Sequence, residues 1–505
     1  MASLPITKQE THVGNGLVSD TEKSVAHKSD TADAALAYVG DESVAQMTEI
    51  DEKALVRKID WMILPLMWAC YNLQYLDKTL INYANVMGIQ EDTQMVGDQF
   101  SYMALVFYVT YLAFELPTGY LMQRLPLAKY LGFNVAAWGL MTACTCAAKN
   151  FAALVTLRAF LGCFESAVAP GLMLVTTMWY KKKEQPLRVG FWFVGTGTGN
   201  VIGALTSFGF QHYGGSGFSS WQIMFLVFGL ITVAVGIAVM VFMPDNPMSS
   251  KLTYEEKVWA VERLRENQTG VENKQFKWYQ AIECLRDPQT WLLCLIVISS
   301  TVPNGAVSSF QAAIIKSFGY TSKETALLSI PSGVVSAIAV IGATWCAGRW
   351  NLRGIFVIAL LAPGLLGGCL LSFLPSDRKI GLLIGNYLTL CIGQSLGLIY
   401  SWVGANYAGH TKKVTMNAIL LMSFCLGNII GPLTFKKEDA PGYLPAKITI
   451  VVTVAVAIGF TLILLGYYKW ENDRRDRRAT SITLQGNGDF LDLTDMEIPN
   501  FRYQH

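Results

Sequence analysis

The 505-residue chain is short of charge. Asp, Glu, Lys and Arg make up 15% of it, where a soluble domain carries about 25%. Hydrophobic residues make up 52%, and the mean hydropathy is +0.35, so much of the chain needs a solvent other than water. There is also no cysteine framework. Of ten cysteines, Cys70, Cys144, Cys146, Cys163, Cys294, Cys346, Cys369, Cys391 and Cys425 lie in apolar runs, and only Cys284 lies outside one. Cys144-Thr-Cys146 has no second pair at zinc-site spacing. The cysteines read as small packing residues, and no metal site is expected. No Gly-x4-Gly-Lys-Ser/Thr loop and no His-Glu-x-x-His occurs, so neither direct ATP drive nor zinc hydrolysis has a basis, and no cofactor is expected. These absences exclude a secreted disulfide scaffold, a soluble enzyme and a nucleotide-driven pump.

What is present is a series of apolar runs. They fall near 61–83, 99–122, 130–148, 151–179, 188–210 and 221–243, then near 289–314, 325–346, 354–374, 380–403, 414–434 and 446–468. Each has the length of a membrane span, about 20 residues. The expectation is an all-α membrane protein with twelve transmembrane helices in two six-helix bundles, residues 57–243 and 289–470. Residues 1–56 hold ten Asp/Glu against four Lys with few aromatics and read as a disordered tail. No apolar segment there could serve as a cleavable signal. Residues 244–288 read as a linker. It opens with the helix stop Pro244-Asp-Asn-Pro247 and holds an amphipathic helix around Leu252, Val258, Val261 and Leu264 that would lie beside the membrane. Residues 471–505 form a second polar tail.

Lys and Arg set the orientation. With the N-terminus in the cytoplasm, inner loops and flanks hold 25 of them and outer loops hold 8. Both termini are therefore expected in the cytoplasm.

An ionisable group inside a span costs at least ~2.5–3.5 kcal/mol on insertion scales, so each needs a reason. Asp77 and Lys78 in span 1, Glu115 in span 2, and Arg158 and Glu165 in span 4 are such groups, and the C-terminal half has none in its span centres. With a rise of 1.5 Å per residue, Asp77 lies about 24 Å up from Trp61, and Arg158 about 10 Å down from Phe151. In a core of about 30 Å the two fall at nearby depths and can pair. Arg158 and Glu165 are seven apart and share one helix face. Structural alternatives stand beside each: Asp77–Lys78 as a static pair, Arg158 tied to carbonyls, and Glu165 as a buried neutral acid. Glu115, just before Pro117, reads as structural, and His410 as a loop residue. Asn304, Gln311, Gln394, Tyr400, Asn417 and Asn428 are candidates for lining the cavity from the second half, or simply bond between helices.

The turn Gly119-Tyr-Leu-Met-Gln-Arg124-Leu-Pro-Leu-Ala-Lys129 has a counterpart after span 8 in Gly348-Arg349-Trp-Asn-Leu-Arg353. Two six-span halves with such turns resemble the major facilitator superfamily, and Arg124, Lys129 and Arg349 would then form a cytoplasmic gate. Gln123 stands where that superfamily's turn usually has Asp. The ridge Gly195-Thr-Gly197-Thr-Gly199-Asn200 resembles its antiporter motif but has Asn200 in place of Pro, which leans against a drug antiporter. Arg158-Ala-Phe-Leu-Gly162-Cys-Phe-Glu165-x4-Pro170-Gly171 is similar to span 4 of the anion–cation symporter group. Tyr75-Leu-Asp77-Lys78-Thr79, Trp402 to Lys413, Gly427-Asn428-Ile-Ile-Gly431-Pro432 and the tail ending Phe501-Arg502-Tyr503 resemble the fungal allantoate permease family within it. The resemblance implies proton coupling at Asp77 and Glu165, and an anion held by Lys78 and Arg158.

The function expected is proton-coupled uptake of a small organic anion by a monomer in the plasma membrane. Export of a metabolite or toxin is the alternative, an intracellular membrane the alternative location, and a signalling receptor the third reading. The partners expected are the anion, protons and the lipid bilayer, with no nucleic acid. The chain's Asn-x-Ser/Thr site, Asn267-Gln-Thr269, falls in the linker. If the linker is cytoplasmic, Asn267 stays unglycosylated. Treatment of the expressed protein with an N-glycosidase is expected to leave its gel mobility unchanged, and a shift that disappears in Asn267→Gln would reverse the orientation.

Overall fold

The computed structural model describes residues 51–181, 184–213, 217–265, 277–350, 352–439, 443–478, 494–498 and 501–505. Residues 1–50 and the Asn267 site lie outside them.

The described chain is helical. The first half contributes α1 (Glu52–Val86), α2 (Gln99–Arg124), α3 (Leu127–Cys144), α4 (Phe151–Glu165), α5 (Val168–Trp179), α6 (Gln185–Phe193), α7 (Gly195–Phe210) and α8 (Ser220–Phe242). Two linker helices follow, α9 (Tyr254–Arg265) and α10 (Trp278–Arg286). The second half holds α11 (Pro288–Ser317), α12 (Ser322–Leu328), α13 (Ile330–Trp350), α14 (Arg353–Phe373), α15 (Lys379–Asn406), α16 (His410–Leu433) and α17 (Leu444–Arg478).

Local chemistry sets the helix starts. Asp51 caps α1 by accepting from the Lys53 N–H at 2.9 Å, and Asn150 caps α4 by accepting from Ala153 at 2.9 Å. Asp287 caps α11 with Pro288 in the first turn. The helix of span 4 breaks after Glu165 and resumes at Val168. Pro170 explains the break, since it has no N–H for the Ser166 carbonyl and its ring crowds that carbonyl.

Among the described residues, eight helical stretches are long and apolar enough to cross a membrane: 151–179, 220–242, 288–317, 322–350, 353–373, 379–406, 411–433 and 444–477. α1 is amply long but carries buried Asn72, Gln74, Asp77, Thr79 and Asn82 on its inner face, which lowers its hydropathy. A helix that lines a polar centre reads as less apolar than one that faces lipid.

Two boundaries and one packing surface differ from the sequence reading. α1 starts at Glu52 rather than after residue 56, because Asp51 caps it. α17 runs on to Arg478 rather than ending at 470, with Glu471 bridging to Arg474 and Arg475. The apolar side chains of α9, with Leu252 just before it, pack inside the protein. Leu252, Val258, Val261 and Leu264 are buried in the protein. α9 is held there by Arg263, which bonds Glu52 and Glu184, and by Glu256, which pairs with Lys58 at 2.7 Å. The Lys58 ammonium holds the Glu256 carboxyl below its ordinary range.

The two halves meet at the end away from the linker. The Asn82 side chain accepts from the Ala312 N–H at 2.8 Å, the Ser322 hydroxyl donates to Val86 O at 3.0 Å, and the Ser101 hydroxyl donates to Phe435 O at 3.2 Å. Phe310 stacks on Phe435 with Phe100 edge-on. Midway along, Gly197 of α7 faces Gly333 of α13 so closely that a Cβ on either would overlap the other's carbonyl.

At the linker end the last residues fold back onto the second half. Lys412, 0% exposed, spends its three N–H donors on Glu283 (2.9 Å), Asp287 (3.0 Å) and Asp495 (2.8 Å). The Tyr503 hydroxyl donates to Asp495 at 2.8 Å, and its ring stacks on Tyr468. Burial, reinforced by the Asp495 charge, pushes the Tyr503 phenol well above its ordinary range, so it stays a donor. Asn406 brackets Gln504 with two bonds, and Asn472 brackets Tyr503 likewise. The described end of the polar tail is thus a strap over α10, α15, α16 and α17. Removing one partner from a buried charge cluster costs about 3–5 kcal/mol. Lys412→Met, and truncation before Thr494, are both expected to lower the melting temperature of the detergent-solubilised protein. Unchanged melting in both would show that the strap adds no stability.

Candidate functional site

The site is built where side chains of α1 and α4 meet, with α2 and α3 packed on α4 and α8 on α1. Adjacent residues on a helix point about 100° apart, so Asp77 and Lys78 serve different partners. Asp77, 3% exposed, accepts from the Thr142 hydroxyl of α3 at 2.9 Å and lies 3.5 Å from Arg158 Nη1. Lys78 reaches the other way, to Glu165 Oε1 at 2.9 Å, an ion-pair contact off the hydrogen-bonding direction. Arg158 is 5% exposed and Glu165 0%. The buried face of α4 is Leu154, Arg158, Leu161, Gly162 and Glu165, which carries both charges on one stripe. Gly162 lets α4 close on α2, because a Cβ there would overlap the Phe107 carbonyl and the Thr110 hydroxyl.

Aromatic faces complete the shell. Lys78 Nζ lies 5.7 Å from the ring centres of both Phe107 and Tyr111, and the Arg158 guanidinium 5.8 Å from Phe225. The cations are thus held on π-faces as well as by carboxylates. Several polar atoms are left over: Arg158 Nη2, Asp77 Oδ2, both Glu165 oxygens and Gln74 Nε2 are buried without a hydrogen-bond partner. Side-chain polar atoms in a protein interior are seldom left so. The arrangement can accept an anion at Arg158 and Lys78 if the carboxylates release them, and protonation of a carboxylate is the simplest release.

The second-half candidates divide. The Asn304 amide donates to Asn428 Oδ1 at 2.9 Å, and Gln311 donates to the Ser332 hydroxyl at 2.7 Å, so both are engaged within their own half. Gln394 accepts from the Thr196 hydroxyl at 3.3 Å, a bond between the halves. The Tyr400 hydroxyl is buried without a partner. Asn417 is exposed, and the structure does not bring it to the charged cluster. Arg124 lies over the Tyr120 ring, Lys129 and Arg349 are exposed, and among the described residues no ion pair joins these three. Asp245 instead accepts from the Ala128 and Lys129 N–H groups and caps α3. Gly393-Gln394-Ser395-Leu396-Gly397 has the spacing of a hydrolase nucleophile turn. It lies within α15, where the Ser395 hydroxyl donates to Ile392 O, and no strand-to-helix elbow exists there.

Sequence reasoning missed Thr142, Phe107, Tyr111 and Phe225. Uncharged residues in apolar spans give no signal until packing puts them beside a charge.

The sequence model of the Major Facilitator Superfamily matches residues 67–432. The chain belongs to the major facilitator superfamily. It is 40% identical to the thiamine pathway transporter THI73 of Saccharomyces cerevisiae over 90% of this chain and 87% of that one. It is 35% identical to the allantoate permease of the same yeast, over 95% and 91%. These relatives agree with the fungal allantoate permease-like group of the superfamily. A bacterial homologue of the human lysosomal transporter Spinster, solved inward-facing and unoccupied, shares the fold with a TM-score of 0.59 at 16% identity, covering 79% of this chain and 96% of that one. The chain is thus a multi-pass membrane protein of a transporter family, not an enzyme.

The crossed pairs make a double-mutant prediction. Lys78→Met alone strands Glu165 and is expected to destabilise by about 3–5 kcal/mol, whereas Lys78→Met with Glu165→Gln recovers most of that loss. Thermal unfolding in detergent checks it, and additive losses would mean that the two residues are not coupled.

Proposed function

We propose that the protein carries a small organic anion into the cell together with a proton, by alternating access of its two halves. The observation that carries this reading is the incompleteness of the central pairs. Arg158 keeps a buried donor without a partner, Lys78 is partly exposed, and each faces a carboxylate able to take a proton. Protonating Glu165 frees Lys78, protonating Asp77 frees Arg158, and the anion takes the vacated contacts. Gln394 and Tyr400 in the second half are the candidates for completing its cradle.

On this reading the chain crosses the bilayer twelve times, with both termini and the linker in the cytoplasm, following the Lys/Arg asymmetry. It works as a monomer at the plasma membrane. The contacts of Asn82, Ser101 and Ser322 then lie at the outer end, and the arrangement described is closed to the outside. Arg124, Lys129 and Arg349 sit at the inner end, without an ion pair among the described residues and available to bridge to carboxylates when the inner end closes.

The energetics favour a proton. Bringing a monoanion against an inside-negative potential costs ~2.3 kcal/mol per 100 mV. One proton cancels that charge, and each pH unit of gradient adds ~1.36 kcal/mol, a tenfold accumulation. The substrate class is a carboxylate such as allantoate, ureidosuccinate, nicotinate, pantothenate or biotin.

The test is uptake of that panel, radiolabelled, into proteoliposomes under an imposed inward proton gradient. One compound is expected to accumulate, with loss on adding an uncoupler and in both Glu165→Gln and Arg158→Ala. Efflux when the gradient is reversed, without uptake, would favour an exporter instead, and no flux in either direction would refute transport of this class.

A further inference from the structure

The linker ends in a helix that faces the wrong way for water. A surface helix of a soluble protein turns its apolar stripe to the core. α10 does the reverse. Its polar Gln280 and Glu283 reach partners in the protein. Gln280 accepts from the Thr411 and Lys412 N–H groups at 3.1 and 3.4 Å, and Glu283 accepts from the Lys412 ammonium at 2.9 Å and the Thr494 hydroxyl at 3.1 Å. Ala281 and Cys284 are buried with Gln280. The apolar Trp278, Tyr279, Ile282 and Leu285 point outward, each between 46% and 74% exposed. Their spacing puts them on one helix face, and the exposed Arg286 follows at its end.

The neighbouring helices indicate what covers this face. α10 ends one residue before α11, which is long and apolar enough to cross a membrane. With nine residues at ~1.5 Å each, α10 reaches about 14 Å from that span. Trp291, in the first turn of α11, donates its indole N–H to the Leu285 carbonyl at 2.9 Å. This satisfies one of the carbonyls left over at the end of α10 and fixes the corner between the two helices. The Trp291 ring is itself exposed, and so is Leu295 one turn further on. The apolar face of α10 therefore continues onto a span. Trp61 on α1, Trp350 at the end of α13 and Trp470 on α17 are exposed at the same end of the molecule. Tryptophan gathers where a membrane meets water. The stretch 266–276 leading into α10 has only Val271 and Phe276 as large apolar residues, too few to cover the face.

We propose that α10 is an interfacial helix, which lies in the bilayer surface on the linker side and sinks Trp278, Tyr279, Ile282 and Leu285 to the boundary between headgroups and acyl chains. The partner is lipid, and the inference does not depend on the proton-coupled reading. Arg286 keeps its charge at the level of the lipid phosphates while its stem lies along the apolar face. The opposite side of the helix carries the connection inward. Gln280 holds the start of α16, and Glu283 holds Lys412 and the strap. The second half is thus moored to one leaflet through this helix.

The test uses the full chain in phosphatidylcholine nanodiscs that hold one copy each. A spin-labelled amino acid replaces Ile282 by codon suppression, which leaves the ten native cysteines in place. Its collisions with oxygen, which concentrates in lipid, and with a nickel chelate, which stays in water, give its depth. The label is expected about 5–10 Å below the phosphates. It should meet oxygen more often, and nickel less often, than the same label in place of Glu255, which is exposed on α9. Nickel collisions equal to those at position 255 would put the face in water and overturn the proposal. Few collisions with either reagent would mean that the chain's own tails cover the face, and would overturn it too. Dipolar coupling between labels on two copies in vesicles would assign the face to a second chain, with the same consequence. The label in place of Leu285 gives the same reading if the one at 282 disturbs folding.

Discussion

The fold depends on cancelling four charges in its first half. Asp77, Arg158 and Glu165 are buried between helices where water cannot screen them, Lys78 is only partly exposed, and none is stable there alone. The facing side chains of α1 and α4 are arranged around this. Neighbouring residues on α1 reach residues seven apart on α4, Gly162 removes the side chain that would hold α4 off α2, and the Thr142 hydroxyl donates to Asp77. The aromatic rings of Phe107, Tyr111 and Phe225 add cation–π support without adding charge.

A comparison within the molecule separates structural from working charges. Lys412, at the linker end, has every donor used and its carboxylates further bonded by Tyr503, Gln289 and the Ala408 N–H. That cluster is finished, and it ties the strap and a linker helix to the second half. The central pairs are unfinished, with Arg158 Nη2, Asp77 Oδ2 and the Glu165 oxygens lacking hydrogen bonds. A network that is to hold a shape is best satisfied completely. One that is to exchange a proton and a substrate needs open positions and a neighbour ready to change partners.

Much of the site was legible in the sequence for one reason: a charge inside an apolar run is conspicuous. Counting residues at 1.5 Å each put Asp77 and Arg158 at one depth, and the seven-residue spacing put Arg158 and Glu165 on one face. What the count could not give is the rotation of one helix about its neighbour, so the partner of Lys78 emerged only from the packing. Neutral residues were harder. Asn304 and Gln311 look like Gln394 in sequence, yet the first two bond within their own half and the third bonds across. Residues 471–505 read only as a polar tail, because nothing in their composition shows what they pack on. It folds against a surface already formed, where Asn406 and Asn472 offer side-chain amides to its backbone.

The claim at the centre of this account is that a carboxyl of the crossed pairs changes protonation while the protein stays folded. Infrared difference spectroscopy of the purified protein during a pH titration reads this directly, through the C=O stretch of a protonated carboxylic acid. The account predicts a band that grows reversibly as pH falls and is missing in Glu165→Gln or Asp77→Asn. A spectrum in which neither variant changes the band, with both carboxylates ionised until the protein unfolds, would contradict it and leave the two pairs as fixed struts.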